Sequence, residues 1–177
     1  MTVRFLPLWV AVWLGITSTT CTIDSLFVLL RPHTLPGGKW NYVFQPYNLY
    51  IEVDPIYKDP NDAFGIGQTW MNLVEICLNI ITILMHTRSK AGLAVLLAFM
   101  VSTMTLAKTV LYFLICSPLC GGPHFVNYID LKKLIFAFII PNGIWIVVPF
   151  LCVMATGKII LDCMENGEPK AKKLKSH

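Results

Sequence analysis

Charged residues are scarce in this chain. Asp, Glu, Lys and Arg together make up 14% of the 177 residues, whereas hydrophobic residues make up 55%. A soluble domain carries about 25% charged residues, so this composition, with a mean hydropathy of +0.63, is too apolar for an ordinary soluble domain. The net charge of +4 comes from bases near segment ends and in the C-terminal tail, so no nucleic-acid partner is expected.

Signatures of the common enzyme classes are also absent. The chain has no GxSxG, HExxH, P-loop or GxGxxG pattern, so neither a nucleotide nor a metal cofactor is predicted. Its six cysteines are scattered without zinc-ligand spacing. Cys116 and Cys120 are near enough in sequence for a luminal disulfide; the alternative is that both are free thiols.

Four long apolar segments dominate what remains, at residues 5–30, 65–85, 91–116 and 133–160. Each is long enough to cross a bilayer, which takes about 20 residues. We therefore predict an all-α membrane protein: a four-transmembrane-helix bundle over residues 5–160, with an internal polar pocket and one long luminal loop at 31–64. Residues 161–177 form a basic tail. Residues 4–20 could alternatively be a cleaved signal peptide, but apolar character resumes at 23–30 and favours one helix.

The distribution of basic residues predicts the topology. Arg88 and Lys90 lie between the second and third segments, and five lysines lie at or beyond the end of the fourth. The positive-inside rule then places both termini in the cytosol. The chain ends in KLKSH, with lysines at 173 and 175, which resembles a dilysine retrieval signal of the endoplasmic reticulum, a receptor-read address. The alternative is a solvated basic tail.

A few strongly polar side chains interrupt the apolar segments: Asp24, Glu75, Lys108 and Asn142, with Trp145 nearby. A charge in hydrocarbon costs roughly 2.5–3.5 kcal/mol and usually marks a site. At about 1.5 Å per residue, these five residues lie at similar depths in the luminal half of their segments. We expect one shared pocket, in which Asp24 and Glu75 divide acid and base roles.

In that pocket Lys108 would tune the two acids, Asn142 would orient one of them, and Trp145 would stabilise a cation. Thr20 and Asn79 are expected to contact a ligand, because each lies one helical turn from an acid. The alternatives are a purely structural ion pair at Lys108, interhelical hydrogen bonding by Asn142, and simple packing by Trp145.

The pattern Asn142-x-x-Trp145-x-x-x-Pro149 resembles the last helix of the EXPERA family, which includes the sterol Δ8–Δ7 isomerases (emopamil-binding proteins) and the sigma-2 receptor branch. Asp24 and Glu75 fall where that family has its first-helix and second-helix acids.

Two further segments extend this resemblance along the chain. Residues 110–114, which contain Tyr112, resemble the third core helix of the family. Tyr50 and Asp54 resemble the tyrosine and aspartate of its first loop. By this resemblance we expect Tyr50, Asp54 and Tyr112 to contact the substrate.

The resemblance implies an isomerase that protonates a ring double bond, stabilises the carbocation and removes a neighbouring proton without a cofactor. The ligand would be a sterol-like or terpenoid small molecule drawn from membrane lipid, and a homodimer is possible. The alternative is a non-catalytic lipid-binding protein that regulates lipid traffic. This alternative is favoured by Thr20, which replaces a histidine of the isomerases.

Overall fold

The computed structural model of the protein describes residues 5–120 and 130–167. Those residues are predominantly helical and contain no strand. The long helices are α1 (Leu8–Leu29), α4 (Ala63–Thr87), α5 (Ala91–Ile115) and α7 (Ile140–Gly167). Three short helices, α2 (Tyr47–Val53), α3 (Pro55–Lys58) and α6 (Leu131–Lys133), lie in or beside the connections.

Among the described residues, four helical stretches are long and apolar enough to cross a membrane: Leu8–Leu29, Ala63–Thr87, Ala91–Ile115 and Leu131–Glu165. They confirm the prediction of an all-α, multi-pass membrane protein, with boundaries within a few residues of those expected from sequence. The fourth stretch joins α6 to α7 through a π-helical segment, Leu134–Ile139, which the sequence analysis did not predict. The dilysine prediction falls on residues 168–177, outside the described residues.

Aspartates begin several of these helices. Asp62 accepts a hydrogen bond from the Gly65 amide at 2.6 Å at the start of α4. Asp54 accepts one from the Ile56 amide at 3.0 Å at the start of α3. Such caps satisfy amides that have no partner inside the helix, so the Asp-rich turns of the sequence fix where α3 and α4 start.

The four long helices pack mainly as three neighbouring pairs: α1 on α4, α4 on α5, and α5 on α7. Small residues of α5 let its neighbours approach closely, since Ala94 and Ala98 are completely buried. An apolar cluster joins α1, α5 and α7 and includes Val10, Val101 and Cys152. Cys116 and Cys120 are both free thiols, so the structure has no disulfide there.

Arg31 holds the segment between α1 and α4 against the end of α1. We call this segment, which carries α2 and α3, the α2–α3 connection. Arg31 Nη1 donates hydrogen bonds to the backbone oxygens of Ile56, Tyr57 and Asp59 at 2.9, 3.0 and 2.6 Å. Its Nε donates to the oxygen of Val28 at 3.0 Å. Burial lowers the pKa of the guanidinium, although nearby tyrosine and aspartate groups oppose that effect. One side chain therefore fixes the position from which Tyr57 reaches into the bundle.

Replacing Arg31 tests its role in holding the α2–α3 connection. We expect Arg31→Lys to lower the free energy of unfolding by about 1.5–3 kcal/mol, because an ammonium cannot keep all of the guanidinium's charge-assisted hydrogen bonds. Thermal unfolding in detergent would measure the change, and protease sensitivity of residues 31–62 should rise with it. Arg88→Lys, at an exposed position, is the control. Equal stability of the two variants would contradict the assignment.

Candidate functional site

A cavity of about 290 Å³ lies between the four long helices and the α2–α3 connection. Small-molecule pockets usually measure about 300–1,000 Å³, so this cavity can hold a compact ligand or one end of a larger one. Every long helix contributes to its wall, and the lining side chains combine aromatic rings with a few polar groups: Thr20, Cys21, Asp24, Pro46, Tyr47, Tyr50, Tyr57, Gln68, Asn72, Lys108, Thr109, Tyr112, Pro141, Asn142 and Trp145.

The structure brings most of the sequence-predicted site residues to this wall. Seven of them line the cavity, namely Thr20, Asp24, Tyr50, Lys108, Tyr112, Asn142 and Trp145. Asp54, Glu75 and Asn79 are outside the lining and are almost completely buried. Any direct contact with a ligand therefore falls to the first group, and the second group can act only through it.

A chain of polar contacts crosses the bundle beside the cavity. Glu75 Oε2 lies 3.1 Å from Lys108 Nζ, an ion pair that joins α4 to α5. The same ammonium donates a short hydrogen bond to Asn72 Oδ1. The Asn72 amide nitrogen in turn donates to Asp24 Oδ2 on α1 at 3.1 Å. The carboxylates of Glu75 on α4 and Asp24 on the neighbouring α1 are thus connected through one amide and one amine.

Tyrosines surround the other side of the Asp24 carboxylate. The hydroxyl of Tyr57 lies 2.8 and 2.9 Å from its two oxygens. Tyr47 donates a longer hydrogen bond of 3.4 Å. With Asn72, three side chains therefore direct donors at this carboxylate, which stabilises it as a fixed acceptor at the cavity wall.

Aromatic stacking holds those tyrosines in place. The rings of Phe27 and Tyr47 stack with centroids 4.2 Å apart, and Tyr50 meets Tyr57 edge to face at 4.7 Å. Burial raises the pKa of Tyr47, and it raises that of Tyr57 well above its usual range; the Asp24 charge adds to both effects. Both hydroxyls therefore remain protonated donors at physiological pH.

Asp54, a further buried carboxylate, lies behind the layer of tyrosines. It accepts a hydrogen bond of 2.5 Å from the Tyr112 hydroxyl. Burial raises its pKa to about 6, and hydrogen bonds from Tyr112, the backbone and Tyr50 hold it from rising further. Asn142 extends this group, because its amide donates to the Tyr50 hydroxyl at 3.0 Å and to the Phe138 oxygen at 2.8 Å.

Trp145 and Thr20 lie on the same cavity wall, but among the described residues neither is hydrogen-bonded to Asp24. The Trp145 ring meets Trp13 of α1 edge to face, with centroids 5.5 Å apart. The Thr20 hydroxyl donates to the Ile16 oxygen of its own helix at 3.0 Å. Thr20 is thus committed to its helix backbone, whereas the Trp145 indole contributes an aromatic surface between α1 and α7.

The sequence analysis did not predict Asn72, the link between Asp24 and Lys108. A signal for it was present, because Asn72 lies three residues before Glu75 and seven before Asn79, and that spacing puts all three on one helical face. Tyr57 was not predicted as a site residue either, because its contact with Asp24 depends on the fold of the connection. No residue spacing in the sequence predicts the contact between Tyr57 and Asp24.

Within residues 5–120 and 130–167, no group of three or more His, Cys, Asp and Glu side chains is arranged to hold a metal ion. Comparison with family models, with curated proteins and with solved structures gave no match.

The buried ion pair between Glu75 and Lys108 predicts that substitutions of the two residues have strongly coupled effects on stability. We expect Lys108→Met to cost about 3–5 kcal/mol of unfolding free energy, because it leaves Glu75 charged and unpaired inside the bundle. Adding Glu75→Gln should restore part of that loss, so the double variant should be more stable than the sum of the single effects. Denaturant or thermal unfolding in detergent measures the unfolding free energy of the wild type, of each single variant and of the double variant.

An exposed ion pair supplies the matched control. Lys133 Nζ lies 2.7 Å from Glu52 Oε2, and both side chains are about half exposed. Lys133→Met should change stability by less than about 1 kcal/mol, despite the shorter distance. Additive effects at Glu75 and Lys108 would contradict the coupling.

Asp54 predicts a pH dependence of stability. Because its pKa is raised to about 6 in the folded protein, the folded state holds a proton that the unfolded state has lost between about pH 4 and 6. Stability should therefore fall by up to about 3 kcal/mol as the pH rises through that window.

Variants separate this contribution from those of other acids. We expect Asp54→Asn to remove that part of the decrease, whereas Glu52→Gln, at an exposed position of α2, should keep the wild-type profile. Thermal unfolding across pH measures both. The same slope in Asp54→Asn as in the wild type would show that another group causes the dependence.

Proposed function

We propose that the protein is a cofactor-independent isomerase that moves a carbon–carbon double bond in a sterol-like or terpenoid lipid. The supporting observation is the meeting of a carboxylate and an amine, Asp24 and Lys108, at the wall of an aromatic cavity within the membrane-spanning helices. Asn72 links the two groups. This arrangement supplies proton acceptors and donors to an apolar molecule at the level of the membrane-spanning helices.

The substrate class follows from the surroundings of the cavity. Its polar groups lie on membrane-spanning helices, and tyrosine rings and the Trp145 indole supply much of the rest of its wall. A ligand that reaches such a site from the bilayer must be largely apolar, and its flat rings can pack against aromatic faces. A sterol or a cyclic terpenoid meets both conditions.

The proposed reaction adds a proton from the site to one carbon of the double bond, which leaves a carbocation on the other carbon. A base of the site then removes a proton from the adjacent carbon, and that electron pair forms the shifted double bond. One proton is gained and one lost, so the product is an isomer and no oxidant or reductant is required. The Trp145 face and the Asp24 charge stabilise the cation.

The geometry supports unequal roles for the two acids. Asp24 is on the cavity wall and exchanges a proton with the substrate, whereas Glu75 lies behind Lys108 and outside the lining. Glu75 then serves as a positioning residue that holds the Lys108 ammonium in place through their ion pair. Asn142, held by Tyr50 and the Phe138 oxygen, directs its amide beside the substrate.

A second candidate function is non-catalytic binding of the same lipid class. The placement of Glu75 favours it, because Asp24 is the one carboxylate that the described residues present to the cavity. A single carboxylate surrounded by tyrosine donors is a suitable polar anchor for the hydroxyl end of a sterol. Such a protein would regulate lipid traffic and would release its ligand unchanged.

We further propose that the protein is a member of the EXPERA family in the endoplasmic-reticulum membrane, with both termini in the cytosol. Arg88 and Lys90 at the α4–α5 connection, together with the lysine-rich end of the chain, support this orientation. The connection that carries α2 and α3 would then lie on the luminal side and cover the cavity from there.

Expression in a yeast strain that lacks its own sterol isomerase tests the reaction. We expect the wild-type chain to convert Δ8 to Δ7 sterols, as measured by mass spectrometry of the sterol fraction. Asp24→Asn should lower the conversion by about 10²–10⁴-fold, the usual contribution of a general acid or base. Glu52→Gln, at an exposed position outside the cavity lining, is the control and should retain full conversion.

The alternative outcomes separate the two candidates. A folded wild-type protein that co-purifies with unchanged sterol and produces no Δ7 product would support the binding function. Full conversion by Asp24→Asn would contradict the role of that carboxylate. Unfolding temperatures of each variant, measured in detergent, distinguish lost chemistry from lost structure.

A further inference from the structure

Helix α4 carries a polar side chain at nearly every turn along one buried face. We call these residues the α4 polar seam: Thr69, Asn72, Glu75, Asn79, Thr82 and His86. The spacing of three or four residues aligns them, and the first five are at most 7% exposed. Neighbours on the other face, such as Ile80 and Leu84, are exposed. The cavity uses only the first part of the seam, so the part beyond Glu75 has no role in the site described above.

That second part contains acceptors that lack partners. Asn79 donates from Nδ2 to Thr17 Oγ1 on α1 at 3.0 Å, but its Oδ1 is buried and has no hydrogen-bond partner among the described residues. The same is true of His86 Nδ1. Thr82 gives its hydroxyl proton to the Leu78 oxygen at 2.7 Å, which leaves its oxygen free to accept. Buried polar atoms of this kind are usually satisfied by ordered water.

The distances along the seam suit a file of water molecules. At 1.5 Å per residue, Glu75 and His86 are about 16 Å apart along the axis, with steps of about 4.5–6 Å between successive polar side chains. One or two waters, with hydrogen bonds of about 2.8 Å each, bridge such a step. Lys108 closes the file at the Glu75 end, because its ammonium contacts both Glu75 and Asn72.

We propose that the α4 polar seam between Glu75 and His86 is a water-filled proton route from the α4–α5 end of the bundle to the Glu75–Lys108 pair. From there the contacts through Asn72 reach Asp24. A double-bond shift leaves the acid one proton short and the base with one in excess, and a row of water molecules would let the site restore both protonation states between cycles. The route itself is argued from the seam and holds for a lipid-binding protein as well.

Water access along the seam can be measured without any substrate. The full-length protein carrying Thr82→Cys is placed in sealed vesicles and exposed to silver ions on the side of the α4–α5 connection. Silver is small, hydrated and reactive with thiols. Thiols left unblocked are then alkylated after unfolding and quantified by mass spectrometry of each peptide, so that the native cysteines need not be removed.

Two buried positions provide controls. Val101→Cys lies at the depth of Thr82, because α4 and α5 are antiparallel and each position is seven residues from its member of the Glu75–Lys108 pair. Val101 is 1% exposed and belongs to the apolar cluster of α1, α5 and α7. Native Cys152 lies in the same cluster. Its rate of blocking by silver serves as an internal control in every sample.

We expect the thiol at position 82 to be blocked at least about ten-fold faster than those at positions 101 and 152, because a dry apolar site excludes a hydrated cation. Asn79→Cys should behave in the same way one turn deeper. Equal rates at the seam and control positions would show a dry seam and overturn the proposal. So would blocking at position 79 that occurs only from the opposite side of the vesicle.

Unfolding temperatures verify that each variant retains its fold, and Thr82→Cys changes the side-chain volume little. Because the measurement concerns water access and not sterol conversion, failure of the route and failure of the proposed isomerase activity would be observed separately.

Discussion

The position of Lys108 is the constraint on which the rest of the bundle depends. An ammonium in the middle of a membrane-spanning helix is tolerated only where other helices supply compensating charge and acceptors. Glu75 and Asn72 provide both from α4, and Asn72 then extends the network to Asp24 on α1. These polar contacts therefore specify the register between the three helices.

The α2–α3 connection completes this network from outside the hydrocarbon. Arg31 fixes the backbone of Ile56 and Tyr57, and the Tyr57 hydroxyl then reaches the Asp24 carboxylate. A loop that could have been a passive linker is thus joined to the central acid by a short series of hydrogen bonds. The consequence is that the site is complete only when the connection is folded against the end of α1.

The four spans and the depth of their polar residues could be predicted from sequence, because hydropathy and helical spacing are local properties. Asp24, Lys108, Asn142 and Trp145 were found in this way, and they do line the cavity. The sequence could not show that Lys108 lies between Glu75 and that wall, since this depends on the rotation of two helices about their axes. The contacts of Tyr57 were equally hidden, because they require a connection whose path is set by Arg31.

The π-helical turn at Leu134–Ile139 has a consequence for the phase of the last helix. A π turn accommodates about one residue more than an α turn, and one residue corresponds to about 100° of rotation about the axis. Asn142 and Trp145 follow this turn directly, so the surplus residue sets the angle at which both side chains reach the cavity wall. A regular α-helix over the same stretch would rotate both by about 100° about the axis, so an insertion or deletion in this short segment would change which side chains of α7 line the cavity.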